Sequence, residues 1–505
     1  MASPFSTHEV TNQPPPLTGY DVFGADAALV EALPREGAGW ATAELHELGR
    51  LAGSEEWQEE GRRAEANRPV LRTHDRYGNR IDLVDYHPGY HRLMATAVEH
   101  GLHAAPWADE QPGAHVARAA KVITWYQVDG GHICPISMTY SVVPALRHAP
   151  EVAAEWEPRL VARSYDPANR PAAEKAGATC GMAMTEKQGG SDVRANTTTA
   201  RPDGDGYRLT GHKWFCSAPM SDGFLMLAQA PGGLTCFWVP RFTPDGARNP
   251  IAIQRLKDKL GDRSNASSEI ELLDTWGALV GEEGRGVRTI IEMVGHTRLD
   301  CTLGSTAIMR HGVAQATWHA HHRAAFGAPL DQQPLMANVL ADLAVESEAA
   351  TAAALRLARA FDAGEDDEHE AALVRLLTPI VKYWTCKRAP QHAAEALECL
   401  GGVGYVEDSD LPRLYRQSPV NGVWEGSGNV ICLDVLRAMA RAPETIDAYW
   451  AEVETAAGAD ARFDAAVAEL RKELGDLGSI ELRARRLVER MAVVFQGSLL
   501  VRCAP

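Results

Sequence analysis

Apolar positions follow two periods along the chain. From about residue 26 to about 158 they recur every three to four positions, the spacing of helices that bury one face, with breaks read as loops at 72–82 and 106–113. Between 181 and 274 the runs are short, alternating or apolar, and bounded by Gly, Pro and Asp: 207–210, 224–230, 234–239, 251–255 and 268–273. That spacing predicts an antiparallel barrel or sandwich and not a βαβ sheet. After Gly284 the helical period returns, and 287–325, 336–363, 370–400 and 429–441 predict four long helices of a bundle, with an acidic loop at 365–368. A further pair, 445–474 and 479–502, predicts a C-terminal helical appendage.

The pattern therefore divides a mainly α chain with a β middle domain into four parts. These are an N-terminal arm and α-helical domain (1–180), a β-barrel domain (181–284), a four-helix-bundle domain (285–441) and the appendage (442–505). The final run GSLLVRCAP stops without a helix-ending signal, as it would if the natural chain continues.

Nine scattered cysteines without a CxxC pair predict reduced thiols, not a disulfide framework or zinc site. No Lys or Arg precedes Arg35 and no apolar run approaches membrane-span length, so a cytoplasmic protein without a signal peptide is expected. A formal charge of −17 argues against a surface built as a whole for phosphate backbones. A local basic patch is compatible with it: Arg483, Arg486 and Arg490 share one face of a helix, either as solvated charge or as a contact for duplex DNA.

Three stretches carry candidate chemistry. In VWEGSGN (423–429) a lone carboxylate, Glu425, follows a tryptophan and precedes a helix that Ser427 or Asn429 can cap. It is either a carboxylate favouring the positive helix end or, partly desolvated beside Trp424, a base of raised pKa. MTEKQGGSD (184–192) offers N–H groups and hydroxyls to an anionic or carbonyl-rich ligand, and HKWFCS (212–217) sets aromatic faces beside a hydroxyl, as a half-buried strand or a seat for a planar ring. GGVGY lacks the spacing of a dinucleotide-binding turn, His319, His321 and His322 lack a partner at metal-ligand spacing, and no GxSxG elbow occurs. No metal is expected.

In one order, MTEKQGGSD, HKWFCS, RLKDKLGDRSNASSEIEL, HTR, RAAFGAPLDQQPL, LGGVGY and WEGSGN resemble the acyl-CoA dehydrogenase family. REGAGW, GMAMTEKQGGSD, GHKWF and PVNGVWEGSGN are similar to its AidB branch of adaptive-response flavoproteins, over nearly the whole chain. The resemblance implies the acyl-CoA dehydrogenase fold and FAD bound without a Rossmann domain. It implies flavin contacts from Met182, Met184, Thr185, Gly190, Ser191, Phe215, Cys216, Ser217, Ser427 and Asn429. Arg323, Phe326 and Gln333 match positions that reach the FAD of a neighbouring subunit, which implies a homotetramer.

Glu425 matches the family base, which removes an α-proton from an acyl thioester while the β-hydride moves to flavin N5, and Arg298 matches an arginine packed near that base. The implied activity is oxidation of a short or branched acyl thioester. The AidB likeness also brings an alkylation-response flavoprotein that binds duplex DNA through its C-terminal helices, although 441–505 holds nine basic against eleven acidic residues. A flavin enzyme of secondary metabolism on a non-CoA substrate is the third expectation. Two departures from the family pattern are Trp424, in place of a commoner tyrosine, which would narrow the acyl pocket, and Lys187–Gln188, in place of a Pro-Gly type turn.

Overall fold

The computed structural model describes residues 5–364, 366–476 and 478–503. The first residues of the predicted arm, Glu365 of the acidic loop and the last two residues of the terminal run lie outside them. The N-terminal helices are α1 (Ala27–Arg35), α2 (Thr42–Ala52), α3 (Glu55–Ala66), α4 (Pro88–Glu99), α5 (Ala105–Ala108), α6 (Ala114–Tyr126), α7 (Ile133–Leu146) and α8 (Pro150–Leu160).

The stretch 72–82 is not a loop. It lies within a hairpin of β1 (Val70–His74) and antiparallel β2 (Arg80–Asp85). Asp75 builds the turn, its carboxylate accepting the Tyr77 N–H at 2.8 Å and the Asn79 N–H at 2.9 Å.

The β region comprises β3 (Cys180–Ala183), β4 (Thr199–Asp203), β5 (Gly206–Ser217), β6 (Gly223–Ala230), β7 (Gly233–Pro240), β8 (Ile251–Leu256) and β9 (Ser267–Val280). Strands β6, β4, β5, β9 and β7 close into a ring, with β3 on β6 and β8 on β9. The expected all-antiparallel pairing is corrected at two places, because β3 and β4 both run parallel to β6. Closure between β4 and β6 rests on one residue pair, Thr199 with Gln229. β5 and β9 run far past the apolar stretches that announce them. Their register shifts at Leu209/Thr210 and Lys213/Cys216 swap which side chains face inward, and so break the alternation by which a strand is recognised. Leu209, Phe224, Met226, Phe237, Ile253 and Ile270 fill the barrel.

The remaining helices are α9 (Gly286–His322), α10 (Pro334–Ala363), α11 (Glu368–Cys399), α12 (Leu411–Gln417), α13 (Gly428–Arg441), α14 (Glu444–Glu454), α15 (Ala461–Gly475) and α16 (Ile480–Cys503). α9 stops before Ala325 because the chain turns into a tiny hairpin, β10 (Ala324–Ala325) and β11 (Ala328–Pro329). The single helix expected over 445–474 is two, α14 and α15. Gly458 breaks it in a left-handed conformation (φ 81°), and the Asp460 carboxylate caps α15 by accepting the N–H groups of Arg462 and Phe463.

One apolar core joins the N-terminal helices to α9, α10, α11, α13 and the last three helices. A second core seals α7 and α8 onto the barrel wall, where Trp156 meets Trp238 edge to face at 4.8 Å. Burying each such large side chain contributes about 1.5–3 kcal/mol. These two cores hold the bundle, the N-terminal helices and the barrel together.

Candidate active site

Glu425 sits in the turn before α13 with φ at 59°, a left-handed conformation uncommon for a residue with a Cβ. Gly426 follows at φ 104°, and a Cβ there would lie 3.0 Å from Ile431 Cδ1, so this position requires glycine. Such a turn stores on the order of 1–3 kcal/mol and persists only if its surroundings hold it. Two cations do so. The Lys382 ammonium, from the buried face of α11, donates to the Trp424 carbonyl at 2.9 Å and the Gly426 carbonyl at 2.7 Å. Arg298, from α9, donates through Nε to the carbonyl of Glu425 itself at 3.0 Å.

These bonds engage the carbonyls and not the carboxyl. Glu425 Oε2 is buried without a hydrogen-bond partner among the described residues. Burial pushes its pKa up, while the neighbouring Thr297 hydroxyl and the charges of Arg298 and Lys382 pull the other way. The charge of Arg298 is shared with Asp434, 2.8 Å from its Nη1, which Arg375 also contacts at 3.0 Å. The Trp424 indole donates to Asn421 Oδ1 at 3.0 Å, which fixes the ring that precedes the base. Ser427 occupies the N-cap position of α13, but its side chain makes no capping bond.

The two motifs of the barrel meet. The Trp214 N–H donates to the Thr185 carbonyl at 2.8 Å, and the Lys187 N–H donates to His212 Nε2 at 3.0 Å. Beneath them the buried Lys213 ammonium contacts Glu186 at 2.8 Å and the Leu227 carbonyl at 2.7 Å. Met182 in β3 and Met184 just after it pack against the core shared with α7, whereas Cys216 belongs to the barrel core. Thr185 and Gly190 are half-buried, and Ser191 is exposed. A Cβ on Gly190 would approach the Thr185 hydroxyl to 2.6 Å, so the glycine keeps that hydroxyl open. Phe215 leaves its ring 50% exposed, and Ser217 Oγ lies 3.1 Å from Ser267 Oγ.

Cys134, at the start of α7, links the two halves. Its thiol lies near Ser217 and Glu425, and burial pushes its pKa up to about 12, so it stays protonated. Ser427 and Asn429 lie exposed beyond the base. Arg323, Phe326 and Gln333 lie apart from all of these. They cluster at the β10–β11 hairpin, where Gln333 Nε2 donates to the Ala325 carbonyl at 3.1 Å and Phe326 is fully exposed. Arg323 follows the last residue of the helix that holds Arg298, 25 positions on, which places the two about 37 Å apart. Lys382, Thr297 and Cys134 were not foreseen. A lysine inside the apolar run of IVKYW is the one signal that could have pointed to the first.

Among the described residues no group of three or more His, Cys, Asp or Glu could hold a metal ion, and His321 instead pairs with Asp331 at 2.9 Å. No helix of the described residues is long and apolar enough to cross a membrane.

A β domain set between N-terminal helices and a C-terminal helical bundle is the architecture of the acyl-CoA dehydrogenases, and this chain belongs to that family. Three family models match it: the adaptive response protein AidB N-terminal domain over residues 12–167, the acyl-CoA dehydrogenase middle domain over 181–275 and its C-terminal domain over 284–440. AidB of Escherichia coli (strain K12) is 49% identical, the match covering 93% of this chain and 87% of that protein. Acyl-CoA dehydrogenase family member 11 of Caenorhabditis elegans is 32% identical, covering 86% and 72%. The crystal structure of Caenorhabditis elegans ACDH-11 in complex with C11-CoA superposes with a TM-score of 0.90 at 29% identity, covering 99% of this chain and 90% of that one. FAD is the cofactor of this family, and the family places the chain among the oxidoreductases.

Proposed function

We propose that the protein is an FAD-dependent dehydrogenase of a short or branched acyl thioester, with Glu425 as the base. The observation that carries this reading is Glu425 Oε2, buried and without a hydrogen-bond partner among the described residues, on a turn clamped by Lys382 and Arg298. The donor set fits a flavin. Thr185, Ser191 and Ser217 present hydroxyls, Phe215 presents a half-exposed ring with Lys257 Nζ 4.5 Å from its centroid, and Met182, Met184, Gly190 and the Cys216 main chain complete that side. Ser427 and Asn429 close the other. Arg323, Phe326 and Gln333 serve the cofactor of a second subunit, because their own site lies too far along α9.

When bound, FAD supplies the hydride acceptor for the β-carbon. The chain supplies the rest. Glu425 takes the α-proton on its carboxylate, and its clamped left-handed turn fixes the backbone from which that side chain projects. The Glu425 N–H polarises the thioester carbonyl, which makes the α-proton acidic enough to remove. Trp424 limits the width of the acyl group. A groove of about 610 Å³ at the start of α9, lined by Arg194, Arg285 and Arg288, suits the anionic tail of a coenzyme A thioester.

Anaerobic titration of the FAD-loaded protein with butyryl-, isovaleryl- and octanoyl-CoA tests the reading. Bleaching of the visible flavin band is expected with at least one of them. A flavin that stays oxidised with all three, while remaining bound, overturns it.

A further inference from the structure

Residues 12–19 run outside every helix and strand, and three consecutive prolines, Pro14 to Pro16, stiffen the middle of the run. Proline lacks an N–H and cannot donate to a ladder. The run is nevertheless fastened at both ends. The Gly19 N–H donates to the Gly53 carbonyl at 2.7 Å, where α2 gives way to α3. The other end reaches the last turn of α9 and the hairpin that follows it. There the Asn12 amide pairs with the main chain of Ala324 in both directions, accepting its N–H on Oδ1 and donating from Nδ2 to its carbonyl, each at 2.8 Å. The Asn12 carbonyl accepts from Arg323 Nη1, and the Pro15 carbonyl accepts from the Trp318 indole at 2.7 Å. Asn12 makes these contacts at φ 58°, a left-handed conformation that asparagine tolerates better than most residues.

Core packing does not account for this arrangement. Residues 10–13, 15 and 16 are exposed, and none of them belongs to the apolar core, which the chain first meets at Tyr20. What the run grips is more telling. Arg323 forms no ion pair among the described residues, and the one hydrogen bond of its side chain there uses Nη1 alone. A guanidinium with open donors and no carboxylate suits a phosphate. Three positions on, Phe326 is fully exposed at φ 53°. A cation and a ring held outward on a fastened hairpin match a ligand that carries both phosphate and an aromatic system and comes from outside the chain.

We infer that residues 12–16 are a strut that presents Arg323 and the β10–β11 hairpin to the FAD of a neighbouring subunit, with Asn12 as the positioning residue. Asn12 does not touch the cofactor and acts through Arg323 and Ala324. The inference rests on the reading that Arg323 and Phe326 serve the cofactor of a second subunit.

Dilution of the FAD-loaded protein, followed by flavin fluorescence, tests the two statements separately. Arg323→Ala should speed flavin release about 10- to 100-fold, the loss of a hydrogen-bonded charge. Asn12→Gly keeps the left-handed backbone, removes the amide and should speed release about three- to ten-fold. The melting temperature of the cofactor-free protein should stay within about 1 °C in that variant. In the double variant release should be no faster than in Arg323→Ala alone, because Asn12 has nothing left to position. Release indifferent to Arg323→Ala would remove the shared-cofactor reading and the strut with it. Release that responds to Arg323→Ala but not to Asn12→Gly would overturn the strut alone. Effects that multiply in the double variant, as from an arm that only steadies the fold, would overturn it too.

Discussion

Lys382 donates a 2.7 Å hydrogen bond to the carbonyl of Gly426, one residue past the candidate base, and so ties α11 to a turn that its own backbone disfavours. Lys382→Met keeps the buried stem and removes the clamp. Turnover should fall about 10- to 100-fold with KM nearly unchanged, because a base displaced by a fraction of an ångström loses alignment before it loses affinity. The pH profile gives a second readout. Lys382 is one of the charges that hold the Glu425 pKa down against burial, so the ascending limb of the activity profile should move to higher pH in the variant.

Glu425→Gln preserves shape and should retain FAD while turnover drops by orders of magnitude. In the parent protein only the ionised carboxylate accepts a proton, so activity should rise with pH through a value above the ordinary 4.5. The amide should abolish that limb. Steady-state rates from pH 5 to 9 check both, and full turnover by the amide would place the base elsewhere.

Asp262 titrates inside the protein. Burial pushes its pKa up to about 8, Lys259 and Arg413 oppose the rise, and Glu65 and Asp129 add to it. The folded state therefore holds a proton that the unfolded chain releases near 3.8, so stability declines as pH climbs from about 4 and levels off past about 8. Asp262→Asn, tolerated at φ 51°, should flatten that decline. Melting temperatures at pH 5, 7 and 9 should converge in the variant, and an unchanged slope would assign the loss to other groups.

Phe326 is fully exposed at the tip of the β10–β11 hairpin, at φ 53°. If it covers the cofactor of a neighbouring subunit, Phe326→Ser should speed flavin release on dilution several-fold and leave the melting temperature of the cofactor-free protein within about 1 °C. Flavin fluorescence against protein concentration reads this directly. Release that ignores concentration would speak against a shared site.

The arginines of α16 are already engaged. Arg490 contacts Glu469 at 2.7 Å and Glu473 at 2.6 Å, Arg486 contacts Glu473 at 2.8 Å, and Arg483 lies 3.4 Å from Asp476. Replacing all three with Ala should leave any affinity for duplex DNA and its salt slope unchanged in an anisotropy titration. The four ion pairs lost are exposed or half-buried and should cost about 1 kcal/mol each at most.

Helices α9, α10, α11 and α13 were legible because helical spacing runs through long apolar-rich stretches, whereas the seven residues of α12 are too few to show it. The hairpin at 70–85 was hidden because its outward positions are charged and its turn, Asp75 to Asn79, reads as generic polar loop. β3 escaped because four small or flexible residues carry no strand signature. At the candidate site, Glu425 drew notice by its isolation among small residues, whereas Lys382 resembles any lysine in a long helix until the turn it grips is seen from forty residues away. Cys134 was invisible for the same reason: its meaning comes from what stands on either side of it in space.

Where β4 meets β6 the barrel is laced by side chains more than by backbone. Glu186 receives the N–H groups of Thr197 and Thr198 and the ammonium of Lys213, across a seam with one ladder pair. Despite burial, those donors hold its carboxyl well below the usual carboxylate range, so the lacing survives mild acid. The same glutamate belongs to the loop that offers Thr185 and Ser191. A single knot thus governs both whether the cylinder stays shut and whether its rim keeps the contour a ligand would feel.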